Sequence, residues 1–323
     1  MLPLLSFWKL LSSGLLLCLT LCLLGMPTWA LSATCPTLAL EMKAVAPRVW
    51  LKPADPHAAS GWREPTVVWV NNHDIWVLDP GPHRCAGLAL RAWLARHWPD
   101  LPQRLINSHA HPENVLANAA WPLGTPIYAL AETKTEMAWR CPDCLATLRR
   151  TLGEAWTQGT EIILPNRVLQ AGQILHLGGL PWEVMAHPQA HTESHLSLWQ
   201  PTQRIWIPVG LVAWDGLPDG TRSHAKAWQA ALQDMAHRQP QYIWGAADTR
   251  LSLHRWLDTR WYWQTVMQHL QDVQAQGQSV LEALPRLSYP PHLSTPDLSP
   301  ERATARHQQN LLREWQYLEN EDF

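Results

Sequence analysis

The stretch Asn107-Ser108-His109-Ala110-His111-Pro112-Glu113-Asn114 opens where an apolar run, Arg104 to Asn107, reads as a short strand. Two histidines at i and i+2 just after a strand set both rings on one side of an extended loop. Zinc takes imidazole nitrogen at about 2.0–2.1 Å and needs three or four ligands. His109 and His111 therefore form part of a metal site only if other segments bring further ligands to them. A lone pair of this spacing is an ordinary surface feature.

Upstream, Thr66 to Val70 and Ile75 to Leu78 are β-branched apolar runs separated by Asn71-Asn72-His73-Asp74, the pattern of a hairpin. Asp79-Pro80-Gly81 closes it. Leu88, Leu90, Trp93, Leu94 and Trp98 give Gly87 to Trp98 the spacing of an amphipathic helix. Downstream, Pro126 to Leu130 predicts a strand, with a helix from Ala131. Ile162 to Pro165, Ile174 to Leu177, Trp182 to Ala186, Leu196 to Trp199 and Ile205 to Pro208 predict a run of strands. Ser223 to His237 reads as a helix, Tyr242 to Gly245 as a strand and His254 to Gln276 as a long helix. Ser299 to Asn320 closes the chain as a helix with Pro300 in its first turn. Two strand-rich halves with a helix between them and a helix at the end fit two sheets covered by helices.

Residues 1–30 carry the marks of a secretory signal. Lys9 supplies the basic start, Leu10 to Leu24 the apolar run, and Thr28-Trp29-Ala30 the small residues a signal peptidase reads. The apolar run is shorter than the ~20 residues that span a bilayer comfortably, so cleavage near Ala30 is expected rather than retention as an anchor. Thr34 before Cys35 argues against a lipoprotein signal. The expectation is a periplasmic or secreted protein with no membrane segment beyond the leader, the mature chain running over 31–323.

Export puts the remaining cysteines, Cys35, Cys85, Cys141 and Cys144, in an oxidising space. Cys141-Pro142-Asp143-Cys144 could serve as a redox dithiol, a zinc clip or a small structural disulfide. A redox dithiol wants a strand before the motif and a helix after it. Here a helical pattern, Glu132 to Trp139, runs into it and Leu145 to Leu152 continues it, so a structural bridge between Cys141 and Cys144 is expected, and no free thiols. Whether Cys35 pairs with Cys85 stays open. A structural zinc site has no second CxxC to draw on.

The formal charge of −2 becomes one unit more negative when Lys9 leaves with the signal. That balance excludes a nucleic-acid or anionic-membrane partner driven by net charge. The 21 tryptophans are spread along the chain, which reads as packing rather than as a stacking surface.

With these segments in place, Asn107 to Asn114, followed by Asn118-Ala119-Ala120-Trp121, resembles the HxHxDH motif of the metallo-β-lactamase superfamily. More narrowly it is similar to periplasmic zinc metallohydrolases of quinoprotein relay systems, which read HxHPDHVxxNAAF here. Ile75 to Gly81 is similar to that family's early strand ending in D-x-G, and His187-Pro188-Gln189-Ala190-His191-Thr192 to its P-x-G-H-T segment. Asp215-Gly216, the helix near Trp228, and His307, Asn310 and Trp315 to Glu319 echo its later regions. The resemblance implies an α/β (α+β) fold, the four-layer αββα metallo-β-lactamase sandwich, over 31–323, with a C-terminal helical extension from about residue 254.

The same resemblance implies the ligands. His109, His111 and His191 match the three histidines of one metal position. At the other position Glu113 replaces the aspartate of HxHxDH and Asn114 its last histidine. Gly210 falls where the bridging aspartate belongs, and Ala246 where the final histidine does. One zinc on three histidines is the expected cofactor, with Glu113 as a general base or as a longer-reaching stand-in for the aspartate. His187, His195 and Asp248 are expected on the surface or behind the ligands, and His73, His83, His224 and His254 in solvated turns or helix starts. Three functions follow. The first is a one-zinc hydrolase of a small ester, thioester or lactam-type substrate. The second is a pseudoenzyme serving as a binding or accessory protein of a periplasmic quinoprotein dehydrogenase system. The third is a redox partner acting through Cys141 and Cys144.

Overall fold

A computed structural model describes residues 34–290, 293 and 298–321. The expected signal, residues 1–30, lies outside the described residues. From residue 35 onward the chain forms two sheets with helices on their outer faces. The first sheet runs in the order β1 (Lys43–Ala46), β2 (Val49–Lys52), β3 (Thr66–Val70), β4 (Ile75–Leu78), β5 (Gln103–Ile106), β6 (Ile127–Ala129) and β7 (Arg167–Val168). Strands β1 to β4 are antiparallel neighbours and β4 to β7 parallel ones. The second sheet takes β8 (Ile174–Leu177), β9 (Leu180–Ala186), β10 (Leu196–Gln200), β11 (Ile205–Ile207) and β12 (Tyr242–Ile243) in that order across the sheet.

Layering explains why β3 and β4 are buried along their whole length instead of alternating. Val67, Trp69, Trp76 and Leu78 face Trp182, Val184, Leu198 and Ile207 of the other sheet. Val68, Val70, Ile75 and Val77 turn outward onto α1 (Arg84–His97) through Ala86, Leu90, Trp93 and Leu94. The outer face of the second sheet, with Trp199 and Trp206, is covered by α5 (Ala225–Arg238), α6 (Thr249–Ala275) and α8 (Pro300–Glu321). The two covered sheets are therefore those the pattern of elements predicted, and the four-layer αββα arrangement is the one the resemblance implied. The tryptophans supply much of its core: Trp62, Trp69, Trp182, Trp206, Trp228 and Trp263 are all fully buried. An aromatic side chain buries about 150–250 Å², or about 4–6 kcal/mol of transfer free energy each at 25 cal/mol per Å².

Helix starts differ from the expected ones for a local reason. Helix α1 begins three residues early because the His83 ring accepts the Ala86 N–H as an N-cap, so His83 is buried rather than solvated. Helix α6 begins before His254 because Asp248 caps it, accepting the Leu251 N–H at 2.7 Å. Residues 162–165 form no strand. The Asn118 side chain takes the Ile163 carbonyl, and Pro165 has no N–H for a ladder. The pair β1 and β2 carries too little apolar alternation to be read in advance.

The cysteines differ too. Cys35 and Cys85 form a disulfide, which ties the start of the described chain to α1. Cys141 and Cys144 are thiols, and the bridge expected between them is not formed. Both lie in one continuous helix, α3 (Ala131–Leu152). Side chains three apart on a helix keep Cβ atoms about 5–6 Å apart, while a disulfide needs about 3.5–4.5 Å. Unreduced, denatured protein is accordingly expected to titrate two thiols with Ellman's reagent; a count of zero would restore the Cys141–Cys144 bridge.

Candidate metal centre

The three histidines come from two loops that the sheets hold together. His109 and His111 leave the end of β5, and His191 sits in the connection between β9 and β10. The Leu196 N–H donates to the Ser108 carbonyl at 2.9 Å, stitching β10 to the first loop. Each histidine offers one ring nitrogen to a common point, all within 4.8 Å of one another, and among the described residues this is the one such group of His, Cys, Asp or Glu. His191 Nε2 stands 3.1 Å from His111 Nδ1. Two nitrogens on one tetrahedral zinc stand about 3.3 Å apart, given bonds of about 2.0–2.1 Å.

Behind the first histidine runs a buried relay. Asp79, at the end of β4, is held at φ 53°. Its carboxylate accepts the Ser108 N–H at 2.8 Å, the Ser108 hydroxyl at 2.6 Å and the Asn114 amide at 3.1 Å. Ser108 Oγ lies 2.7 Å from His109 Nδ1. Burial pushes the Asp79 carboxyl up to about 7 against the hydrogen bonds of Ser108 and Asn114; in its ionised form it takes the one hydroxyl proton of Ser108, so the serine oxygen accepts from His109 Nδ1–H. That assigns His109 the tautomer with a bare Nε2, and His109 Nε2 is buried with no hydrogen-bond partner among the described residues. A neutral imidazole with its second nitrogen fixed and the other left bare is the donor a metal takes. Burial holds His109, His111 and His191 below the ordinary histidine range, with their mutual repulsion adding at His109 and His191. They are therefore neutral near pH 7, as ligation requires. The residues present fit a zinc ion.

The other side chains fall as follows. Glu113, in the short helix α2 (Pro112–Val115), puts Oε1 3.6 Å from His111 Nδ1, and burial raises its carboxyl above the usual range. Asn114 is fully buried and turned onto Asp79. Gly210, after β11, lies against His191: a Cβ there would stand 2.5 Å from His191 Cδ2 and 3.3 Å from His109 Cε1. Ala246 is buried, its N–H bonded to Ser252 Oγ. His195 and His187 are not on the surface. The His195 ring packs 4.7 Å from that of His109, and His187 bonds Ser197 Oγ at 2.7 Å. Asp248 is occupied as the cap of α6.

Sequence reading missed Trp228 and the relay. Trp228, on α5, meets the His191 ring edge-on at 5.0 Å while its indole N–H holds the Leu211 carbonyl at 2.9 Å. It thus braces both the His191 loop and the Gly210 loop. The serine directly before His109 was the available signal for the relay. The histidines open into a cleft of about 720 Å³ lined by Glu64, His111, Glu113, His191, Trp214 and Asp219, among others.

This architecture is the metallo-β-lactamase fold, here with a buried three-histidine cluster at one end of the sheet sandwich. Solved structures carry the same fold. A β-lactamase domain protein from Burkholderia ambifaria superposes with a TM-score of 0.60 at 16% identity, covering 88% of this chain and 90% of its own. A metallo-β-lactamase from Pontibacter korlensis gives a TM-score of 0.53 at 16% identity, over 69% of this chain and 99% of its own. The metallo-β-lactamase FIM-1 from Pseudomonas aeruginosa, solved in its mono-zinc form, gives 0.53 at 14% identity over 70% of this chain and 96% of its own. No family model and no curated protein sequence matches the chain.

Proposed function

We propose that this chain is an exported hydrolase that holds one zinc ion on His109, His111 and His191 and cleaves a small ester, thioester or lactam-type substrate. The observation that carries the reading is the convergence of three neutral ring nitrogens, with His109 Nε2 buried and unpartnered. Three imidazoles, with one nitrogen pair 3.1 Å apart, are a donor set that zinc accepts, and zinc is the metal proposed. When bound, the ion supplies Lewis-acid chemistry to a water and to an acyl oxygen in the cleft. The protein's own groups do the rest. Ser108 and Asp79 fix the His109 tautomer, Trp228 braces His191, and Glu113 takes the proton of the attacking water. The Cys35–Cys85 disulfide supports export, and no helix among the described residues is long and apolar enough to cross a membrane. The quinoprotein setting rests on the resemblance of the histidine segments.

One metal rather than two is part of the proposal. Three positions that the resemblance assigns to a second ion hold Asn114, Gly210 and Ala246. Asn114 is spent on Asp79, and the His191 ring fills the space beside Gly210. Those same losses favour the second reading, a binding or accessory protein of the quinoprotein system. The redox reading is weaker, because burial pushes the Cys141 thiol up to about 12 and keeps it protonated. The test is turnover of an ester, thioester and lactam panel by tag-free, zinc-loaded protein. Turnover abolished by chelator and restored by zinc is expected; bound zinc with no turnover of any substrate would favour the accessory reading.

A further inference from the structure

Glu64 stands just ahead of β3 and plays no part in the metal centre as described. It lines the same cleft as His111, His191 and Glu113. Its Oε2 is shut off from solvent and has no hydrogen-bond partner among the described residues. A buried carboxyl oxygen left without a partner calls for an explanation, and the residue that carries it lines a cavity large enough for a small molecule. The charged groups around it pull in opposite directions. Burial, then Glu113 and Asp215, with Asp79 the smallest effect, disfavour its ionised form, and Lys52 favours it; the net result pushes the carboxyl up to about 8. Lys52 is engaged elsewhere, donating to the Glu64 backbone carbonyl at 3.2 Å and to the Trp62 carbonyl.

In a two-metal hydrolase the second ion meets the charge that develops on the leaving atom. Here Asn114, Gly210 and Ala246 stand where its ligands belong, so that charge must be met by a proton. Glu113, its Oε1 3.6 Å from His111 Nδ1, serves as the base in the function proposed above, so the acid must be another group. We infer that Glu64 is the acid that protonates the leaving group, from the cleft that His111 and His191 also line; the inference rests on the hydrolase reading above. Water adds its oxygen to the acyl carbon and gives a proton to Glu113. The bond from the acyl carbon to the leaving atom then breaks, its electron pair stays on that atom, and the Glu64 proton goes to it. Transfer of a proton from Glu113 back to Glu64 through solvent restores both groups, so one water and one acyl compound become one acid and one alcohol, thiol or amine. An acid is best suited to this work when it titrates near the working pH.

The first test needs no substrate. In zinc-loaded protein labelled with ¹³C at the glutamate carboxyls, with E64Q used to assign the signal, Glu64 is expected to remain protonated up to about pH 7. Ionisation complete by pH 6 overturns the proposal. The second uses ethyl acetate and 4-nitrophenyl acetate as probes. E64Q is expected to lose about 10²–10⁴-fold in kcat on the alkyl ester, the usual worth of a general acid, and under tenfold on the nitrophenyl ester, whose leaving group needs no proton. Equal losses on both, with the zinc content and Tm of E64Q unchanged, overturn the assignment of Glu64 alone. No hydrolysis of any ester, thioester or lactam of the panel above by wild-type protein, with one zinc bound, overturns the hydrolase reading and this proposal with it.

Discussion

Gly210→Ala is expected to weaken zinc binding by about 10–100-fold, a single methyl group acting from outside the ligand set. The added Cβ would stand 2.5 Å from His191 Cδ2 and 2.6 Å from His191 Nε2. These are atoms of a rigid ring, not the tip of a flexible side chain, and Trp228 packs edge-on against the same ring. The imidazole must swing and carry Nε2 away from His111. Gly210 does not occupy the left-handed region of backbone space, so alanine brings no conformational penalty and the effect is steric. Overpacking of this kind costs about 1–3 kcal/mol of stability. Competition against a chromophoric chelator measures the affinity. Wild-type affinity in the alanine variant would show that His191 is not held where the structure places it. For the same reason, an aspartate introduced at this position is not expected to create a second metal site.

Asp79→Ala is expected to lower unfolding stability by about 3 kcal/mol or more, since each buried donor left unpaired costs about 1–3 kcal/mol. It strands the Ser108 N–H, the Ser108 hydroxyl and the Asn114 amide together. It also frees His109 to adopt the other tautomer, which puts a proton on the nitrogen meant for the metal. Stability in urea and zinc affinity should therefore fall together. A variant that loses stability yet binds zinc as tightly as the wild type would separate the relay from the metal centre.

The legible part of this molecule was its periodicity. Central strands such as Thr66–Val70 and Ile75–Leu78 are apolar because both faces are covered, and that pattern survives in one dimension. His109, His111 and His191 could be grouped only through the resemblance of their two segments, because nothing in their spacing joins residues 109–111 to residue 191. What could not be read is set by geometry across the sequence. His83 is an unusual N-cap, so α1 started early. Cys141 and Cys144 have a spacing that invites a bridge, and only the continuous helix prevents it. Trp228 lies 37 residues beyond His191, and nothing in its neighbourhood announces that its ring will rest on that histidine. Glu64 looks like any loop acid until the cleft closes around it.

Metal stoichiometry decides whether one zinc ion sits on the three histidines. Tag-free protein purified without chelator, counted by plasma mass spectrometry alongside His109→Ala and His191→Ala, is expected to carry one zinc per chain in the wild type and none in either variant. Two zinc ions per chain, none, or one that survives both substitutions would contradict it.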